Sequence, residues 1–229
     1  MKLWGVSFLA GFACLAMACG PGGVNVKLKN QVDSELARIS GPHNIYDVSS
    51  GHPMPLEVGQ WIKYRMTDKK GEPSVFTYKI VGQEGSALWL EYSMVTYYNS
   101  IEYRMLMEMN PASPRDSNIL KVIARFDGEE IIEYDDAVIH LTQSMYNNII
   151  ESFYVEWDTS MKRDVSVAAG TFSGCDRVVS SFRLGNQNLN AAYVHSEVPI
   201  SGFVKYEGKS MKMELLSYGL TGAVSSFDL

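Results

Sequence analysis

Cysteine is nearly absent from this 229-residue chain, with three in all, at positions 14, 19 and 175. No framework of several disulfides can therefore hold the fold, and its stability has to come from a buried core. The four histidines, His43, His52, His140 and His195, are far apart in the sequence, and neither a Cys-x-x-Cys pair nor a His-Glu-x-x-His helix occurs. That removes the usual zinc signatures, and no cofactor or metal is expected. The chain also lacks a Gly-x-Ser-x-Gly elbow and a phosphate-binding loop, so nothing at the level of motifs supports catalysis, and a non-enzyme is expected. Basic residues are outnumbered, 20 Lys and Arg against 26 Asp and Glu, for a formal charge of −6. Such a chain has no electrostatic reason to seek nucleic acid. Long apolar runs are missing too. The one apolar run near the start, residues 3–18, carries no charge but falls short of the about 20 apolar residues that a membrane helix needs.

What the first nineteen residues do contain is an export pattern. Lys2 precedes the short apolar run, and Gly5, Gly11 and Gly20 to Gly23 argue against a stable buried helix there, since each Gly costs about 1 kcal/mol in a helix interior. Ala16-Met17-Ala18-Cys19-Gly20 resembles the lipobox of bacterial lipoproteins, with alanine where that family usually has leucine. Cys14 is the poorer match because Phe12 stands two residues before it. The resemblance implies that residues 1–18 are a signal peptide and that Cys19 becomes a diacylated N-terminus, bound to the membrane through its acyl chains. Each buried methylene adds about 0.8 kcal/mol of membrane affinity, so such an anchor needs no transmembrane helix. Gly20, which is not aspartate, implies by analogy with enteric bacteria the outer membrane of the cell envelope, facing the periplasm.

Beyond Cys19, residues 19–55 are expected to be a lipidated N-terminus and tether. Within them, Val24, Val26 and Leu28 alternate like a strand, while Leu28, Val32, Leu36 and Ile39 recur at helical spacing. The spacing predicts a short helix over residues 32–39, stopped by Gly41-Pro42. From Leu56 the pattern changes to period two, interrupted by turn residues, and residues 56–229 are expected to form a single antiparallel β domain. The run Ile101, Tyr103, Met105, Met107, Met109 against Glu102, Arg104 and Glu108 is the cleanest alternation, with Leu106 as its exception. Strands are predicted at 119–126 and 130–134 across Asp127-Gly128, and later at 154–157, 163–167, 171–172, 177–184, 191–195, 202–207 and 211–218. Leu141, Met145, Ile149 and Phe153 lie on one helical stripe, which predicts one helix at 141–153. The fold class follows as mainly β, a curved antiparallel sheet or unclosed β-barrel with one helical lid, because a flat sheet would leave its apolar face wet.

Three stretches carry a further resemblance: Val165 to Phe172 (VSVAAGTF) followed by Cys175, Tyr193 to Lys205 (YVHSEVPISGFVK), and Leu215 to Gly219 (LLSYG). Together they resemble the C-terminal half of bacterial envelope proteins with a LolA/LolB-like fold, over roughly the last third of the chain. The resemblance implies an unclosed antiparallel barrel with a helical lid, the shape that in the lipoprotein carriers of that fold holds acyl chains. It brings no catalytic residues with it, and a shared fold does not transfer a function.

The richest chemical feature is the load of methionine and aromatic residues. Met94, Tyr103, Met105, Met107, Met145 and Ile149 are the candidate lining of a site for a lipid or other hydrophobic ligand, since methionine adapts to varied apolar partners. The opposing reading is a solidly packed core, in an anchored structural or protein-interaction lipoprotein. Glu129, Glu130, Glu133, Asp135 and Asp136 lack the spacing of a calcium loop and read as a solvated sheet edge. Cys175 with His140 or His195 has no spacing that pairs a nucleophile with a base, and reads as a small buried thiol. His43, His52 and Asp47 would meet around a metal only if their loop folded back on itself.

Overall fold

The computed structural model describes residues 23–38, 44–110, 116–140, 157–178, 183–184, 187–188, 192–208 and 211–227. The chain enters through a helix, α1 (Val26–Ala37), capped by Asn25, whose side-chain oxygen accepts the N–H groups of Lys27 and Leu28 at 3.1 and 3.3 Å. This corrects the expectation of a helix at 32–39: the cap at Asn25 starts it earlier. Leu28 and Val32 are buried, whereas Val24 and Val26 are exposed, so the strand-like alternation at the start serves no packing.

Eleven strands form one antiparallel sheet: β1 (Trp61–Asp68), β2 (Pro73–Glu84), β3 (Ala87–Val95), β4 (Ser100–Glu108), β5 (Asn118–Phe126), β6 (Ile132–Glu133), β7 (Trp157–Val167), β8 (Gly170–Val178), β11 (Tyr193–Val194), β12 (Phe203–Glu207) and β13 (Met211–Gly219). The short pair β9 (Arg183–Leu184) and β10 (Gln187–Asn188) stands apart from it. The spatial order is β6-β5-β4-β3-β2-β1-β13-β12-β11-β8-β7, so the C-terminal strand β13 joins the N-terminal meander to the later strands. Among the described residues β6 and β7 are the two edges, and the sheet is unclosed.

Laid flat, such a sheet would be roughly 50 Å wide at about 4.8 Å per strand. Instead one apolar cluster takes in Ile62, Tyr78, Tyr92 and Tyr103 from the meander together with Val165, Phe172, Val194 and Val204 from the distant strands, and β7 lies close to β12 and β13. The sheet therefore curls around its own apolar face. Register shifts at Lys63/Tyr64, Ile80/Gly82, Leu106/Met107 and Tyr193/Val194 supply the local bends, as bulges do in curved sheets.

The outer face is covered as well. At one end α1 lays Leu28 and Val32 on Val75 and Val95. At the other, the C-terminal segment crosses the strands and seats Phe227 against Ala87, Trp89, Leu106 and Ile123. Leu106, the exception in the β4 alternation, belongs to this second cluster, which explains why an apolar residue stands at an outward position. Residues 44–49, within the expected tether, run along β8: Ile45 bridges Phe172 in parallel, donating to the Thr171 carbonyl at 2.8 Å and accepting from the Ser173 N–H at 2.9 Å. Within the stretch expected as a tether, α1 and residues 44–49 are thus docked on the sheet.

Several strand bounds differ from expectation. Of the predicted strand at 154–157 only Trp157 lies within the described residues, and it belongs with the predicted strand at 163–167 to one strand, β7, whose residues 159–164 are exposed and so give no alternation. Similarly, 171–172 and the start of 177–184 join in β8. Residues 136–140 are helical, with Asp135 accepting the N–H of Val138 on its side chain and of Ile139 on its carbonyl. The helix expected at 141–153 lies outside the described residues.

Candidate functional site

The concave face of the meander carries an aromatic ladder in register. Tyr78 on β2 pairs with Ile62 on β1 and Tyr92 on β3, which in turn faces Tyr103 on β4 and then Ala124 on β5. Alternation along each strand sends these side chains to the same side, so rings stack from strand to strand. Phe76 sits edge-on to Tyr78 and Tyr92, with centroids 4.7 Å away in both cases, Tyr92 lies 6.0 Å from Tyr103, and Tyr103 lies 6.0 Å from Phe126. Edge-to-face pairs of this kind contribute about 0.5–1.5 kcal/mol each beyond area burial.

Methionines extend the ladder. Met105 faces Leu90 and Val122, Met107 faces Leu88 and Ile119, and Met94 faces Phe76 and Ile101. Of the predicted lining residues, Tyr103, Met105 and Met107 come together on this face and are buried, at 3 %, 0 % and 0 % exposure, and Met94 is partly buried beside them. Met145 and Ile149 lie outside the described residues. Polar groups are built into the same wall. The Tyr64 hydroxyl donates to the Phe203 carbonyl at 2.9 Å and lies 3.0 Å from the Ser201 hydroxyl. Burial pushes the Tyr64, Tyr78 and Tyr92 phenols well above their ordinary range, so they act as neutral donors.

The other candidates do not assemble. Cys175 is a free, buried thiol that donates to the Phe172 carbonyl at 3.5 Å, and burial, aided by Asp176 and Asp164, pushes it up to about 12. A nucleophilic cysteine needs the opposite shift. His195 is buried with both ring nitrogens engaged: Nδ1 accepts the Glu197 N–H at 3.2 Å, and Nε2 faces the carbonyls of Asp47 at 3.0 Å and Ser173 at 3.2 Å. That network holds the ring in place and leaves neither nitrogen facing a thiol or a cleft. His140 and His52 are exposed, and His43 lies outside the described residues. Glu129, Glu130, Glu133, Asp135 and Asp136 are exposed, Glu133 paired with Lys121 at 2.8 Å. Among the described residues no three His, Cys, Asp or Glu side chains are placed to hold a metal ion.

Two buried polar networks were not legible from spacing. In the first, the Asp176 carboxylate, fully buried on β8, accepts from the Ser49 hydroxyl and from Lys162, whose ammonium also reaches the Ser49 carbonyl at 2.9 Å. In the second, Glu91 on the outer face takes the Ser226 N–H at 2.9 Å and the Ser225 hydroxyl, with Lys79 3.8 Å away. Each joins segments more than a hundred residues apart in sequence, where no local pattern could announce them.

No family model, curated protein or solved structure matches this chain. No helix among the described residues is long and apolar enough to cross a membrane.

Proposed function

We propose that this protein is a non-catalytic lipoprotein of the bacterial cell envelope, anchored through acyl chains on Cys19 and binding a lipid or other hydrophobic ligand on the concave side of its sheet. The observation that carries this reading is the wall formed by Phe76, Tyr78, Tyr92, Tyr103, Met105 and Met107, an aromatic and methionine surface on the inside of an unclosed sheet. Methionine repacks around guests of different shape. Tyr103, Met105 and Met107 are buried by the protein's own residues, so a guest enters only by displacing what covers them. The same burial is also the specific support for the second reading, an anchored structural or interaction lipoprotein whose concave side is a packed core.

Intact mass of the protein purified from its native envelope tests the anchor: a mass increase of acyl groups on a chain beginning at Cys19 supports it, and an unmodified amine elsewhere overturns it. Native mass spectrometry of the gently purified domain then separates the two readings. Co-purified lipid, lost in Met105→Trp and Met107→Trp variants that fold normally, supports a binding site. A clean apoprotein that takes up no added phospholipid or fatty acid supports the packed core.

A further inference from the structure

One end of the sheet gathers the features of a membrane-contact surface. The chain from Cys19 to Asn25 spans at most about 20 Å even when fully extended. Asn25 is pinned there, its N–H donating to the Tyr97 carbonyl at 2.8 Å. Tyr97 and Tyr98 form the β3–β4 turn, and the Tyr98 hydroxyl donates at 3.0 Å to Glu72 in the β1–β2 turn. These contacts bring the start of α1 and two hairpin turns to one place.

This end carries exposed apolar groups within reach of the tether: Val24 at 49 %, Val26 at 68 % and Tyr98 at 42 %. Lys27, Lys69 and Lys70 lie exposed among them. The acidic groups facing the same end are engaged locally. Asp33 is paired with Lys29, Asp68 accepts the N–H groups of Lys70 and Glu72, Glu72 takes the Tyr98 hydroxyl, and Asp127 takes the Ser100 N–H. Valine side chains, an amphipathic tyrosine and lysines with long apolar stems suit the interface between headgroups and acyl chains. With so few net charges, the attraction is apolar and calls for no anionic lipid.

We infer that the protein sits end-on, with Val24, Val26 and Tyr98 against the phospholipid surface and the β2–β3 turn pointing away. β3 alone, at about 3.4 Å per residue, holds that far turn roughly 30 Å from the near end. The inference rests on the anchoring proposed above and adds an orientation to it: a domain tethered this closely has one face within reach of the bilayer, and that face presents Val24, Val26 and Tyr98.

The test uses the full lipoprotein in phosphatidylcholine vesicles doped with a nitroxide-bearing phospholipid. A polarity-sensitive fluorophore is placed by Val26→Cys, Tyr98→Cys or, at the far turn, Ser86→Cys, all at exposed positions. Cys175 is buried and acylation blocks Cys19, so only the new thiol is labelled. Quenching several-fold stronger at 26 and 98 than at 86 is the expected result. Equal or absent quenching in protein whose intact mass shows acylated Cys19 overturns the orientation alone. An unacylated Cys19 overturns the anchoring, and the orientation with it.

Discussion

The Glu91 carboxylate, only 3 % exposed on the outer face of β3, accepts the backbone N–H of Ser226 at 2.9 Å and so fastens the C-terminal segment to the sheet. Beside it Arg125 donates to the Ser226 carbonyl at 2.9 Å and lies over the Phe227 ring at 5.0 Å. The polar clamp and the seated ring are neighbours on one short segment, so they are expected to act together. Glu91→Ala leaves the half-buried Ser226 N–H without its acceptor and is expected to cost about 1 kcal/mol, the low end for a lost partner. Phe227→Ala uncovers Trp89, Leu106 and Ile123 and is expected to cost about 3–5 kcal/mol. Urea unfolding of the single and double variants should show a coupling of roughly 0.5–3 kcal/mol. Strict additivity would mean that the clamp does not hold the ring.

Gly202 and Trp157 give a second prediction. Gly202 has φ +70°, and a Cβ added there would stand 2.4 Å from Trp157 Cζ2. Gly202→Ala is expected to lose roughly 1–2 kcal/mol to the left-handed backbone and about 1–3 kcal/mol more to overpacking. Gly71, with φ +86° and open space around it, should show only the first loss. Thermal unfolding midpoints of the two variants make the comparison, and equal shifts would remove Trp157 from the account.

How far the sequence discloses this fold depends on how local each interaction is. The β1 to β5 meander was readable because Tyr64, Tyr78, Tyr92 and Tyr103 alternate with polar residues on strands joined by short turns. β7 reads from the sequence as two pieces because residues 159–164 are exposed on both sides and alternation has nothing to report. The expected bounds of α1 lie too far toward its C-terminal end because Gly41-Pro42 is a clear stop in the sequence, while the cap at Asn25 lacks an acidic partner in the first turn. The aromatic and methionine wall was legible as composition, and its assembly on one face followed from strand parity. The clamps at Asp176 and Glu91 were hidden, since a buried carboxylate is recognisable only by the distant segments that come to meet it.

The Asp176 network predicts an asymmetry between two substitutions. Lys162→Met leaves a fully buried carboxylate with the Ser49 hydroxyl as its remaining side-chain donor. Removing one partner of a buried pair costs about 3–5 kcal/mol, and the lower end applies because Lys162 is itself a third exposed. Asp176→Asn keeps an acceptor for Ser49 and frees an ammonium that can turn to water, so a smaller loss is expected. Chemical denaturation decides the order. The reverse order would show that Lys162 contributes little and that shape, not charge, holds the loop at Ser49.

Alkaline pH should unfold the protein cooperatively, and the sign follows from where the raised groups ionise. In the unfolded chain Cys175 titrates near 9 and the tyrosines near 10, whereas in the fold burial holds Cys175 up to about 12 and Tyr64, Tyr78 and Tyr92 well above their ordinary range. Above pH 9 the unfolded state therefore releases protons that the folded state keeps. Their stabilising contribution is complete below pH 9 and is lost progressively as pH rises toward 12, at about 1.4 kcal/mol per pH unit for each group once its unfolded form is ionised. Tyrosinate absorbance near 295 nm should accordingly rise in two stages, gradually for the exposed rings and then abruptly as the ladder opens. Tyr92→Phe removes one such group, so it should shrink the abrupt stage and move it to higher pH. A single smooth titration of all tyrosines near pH 10 would mean that water reaches the concave wall.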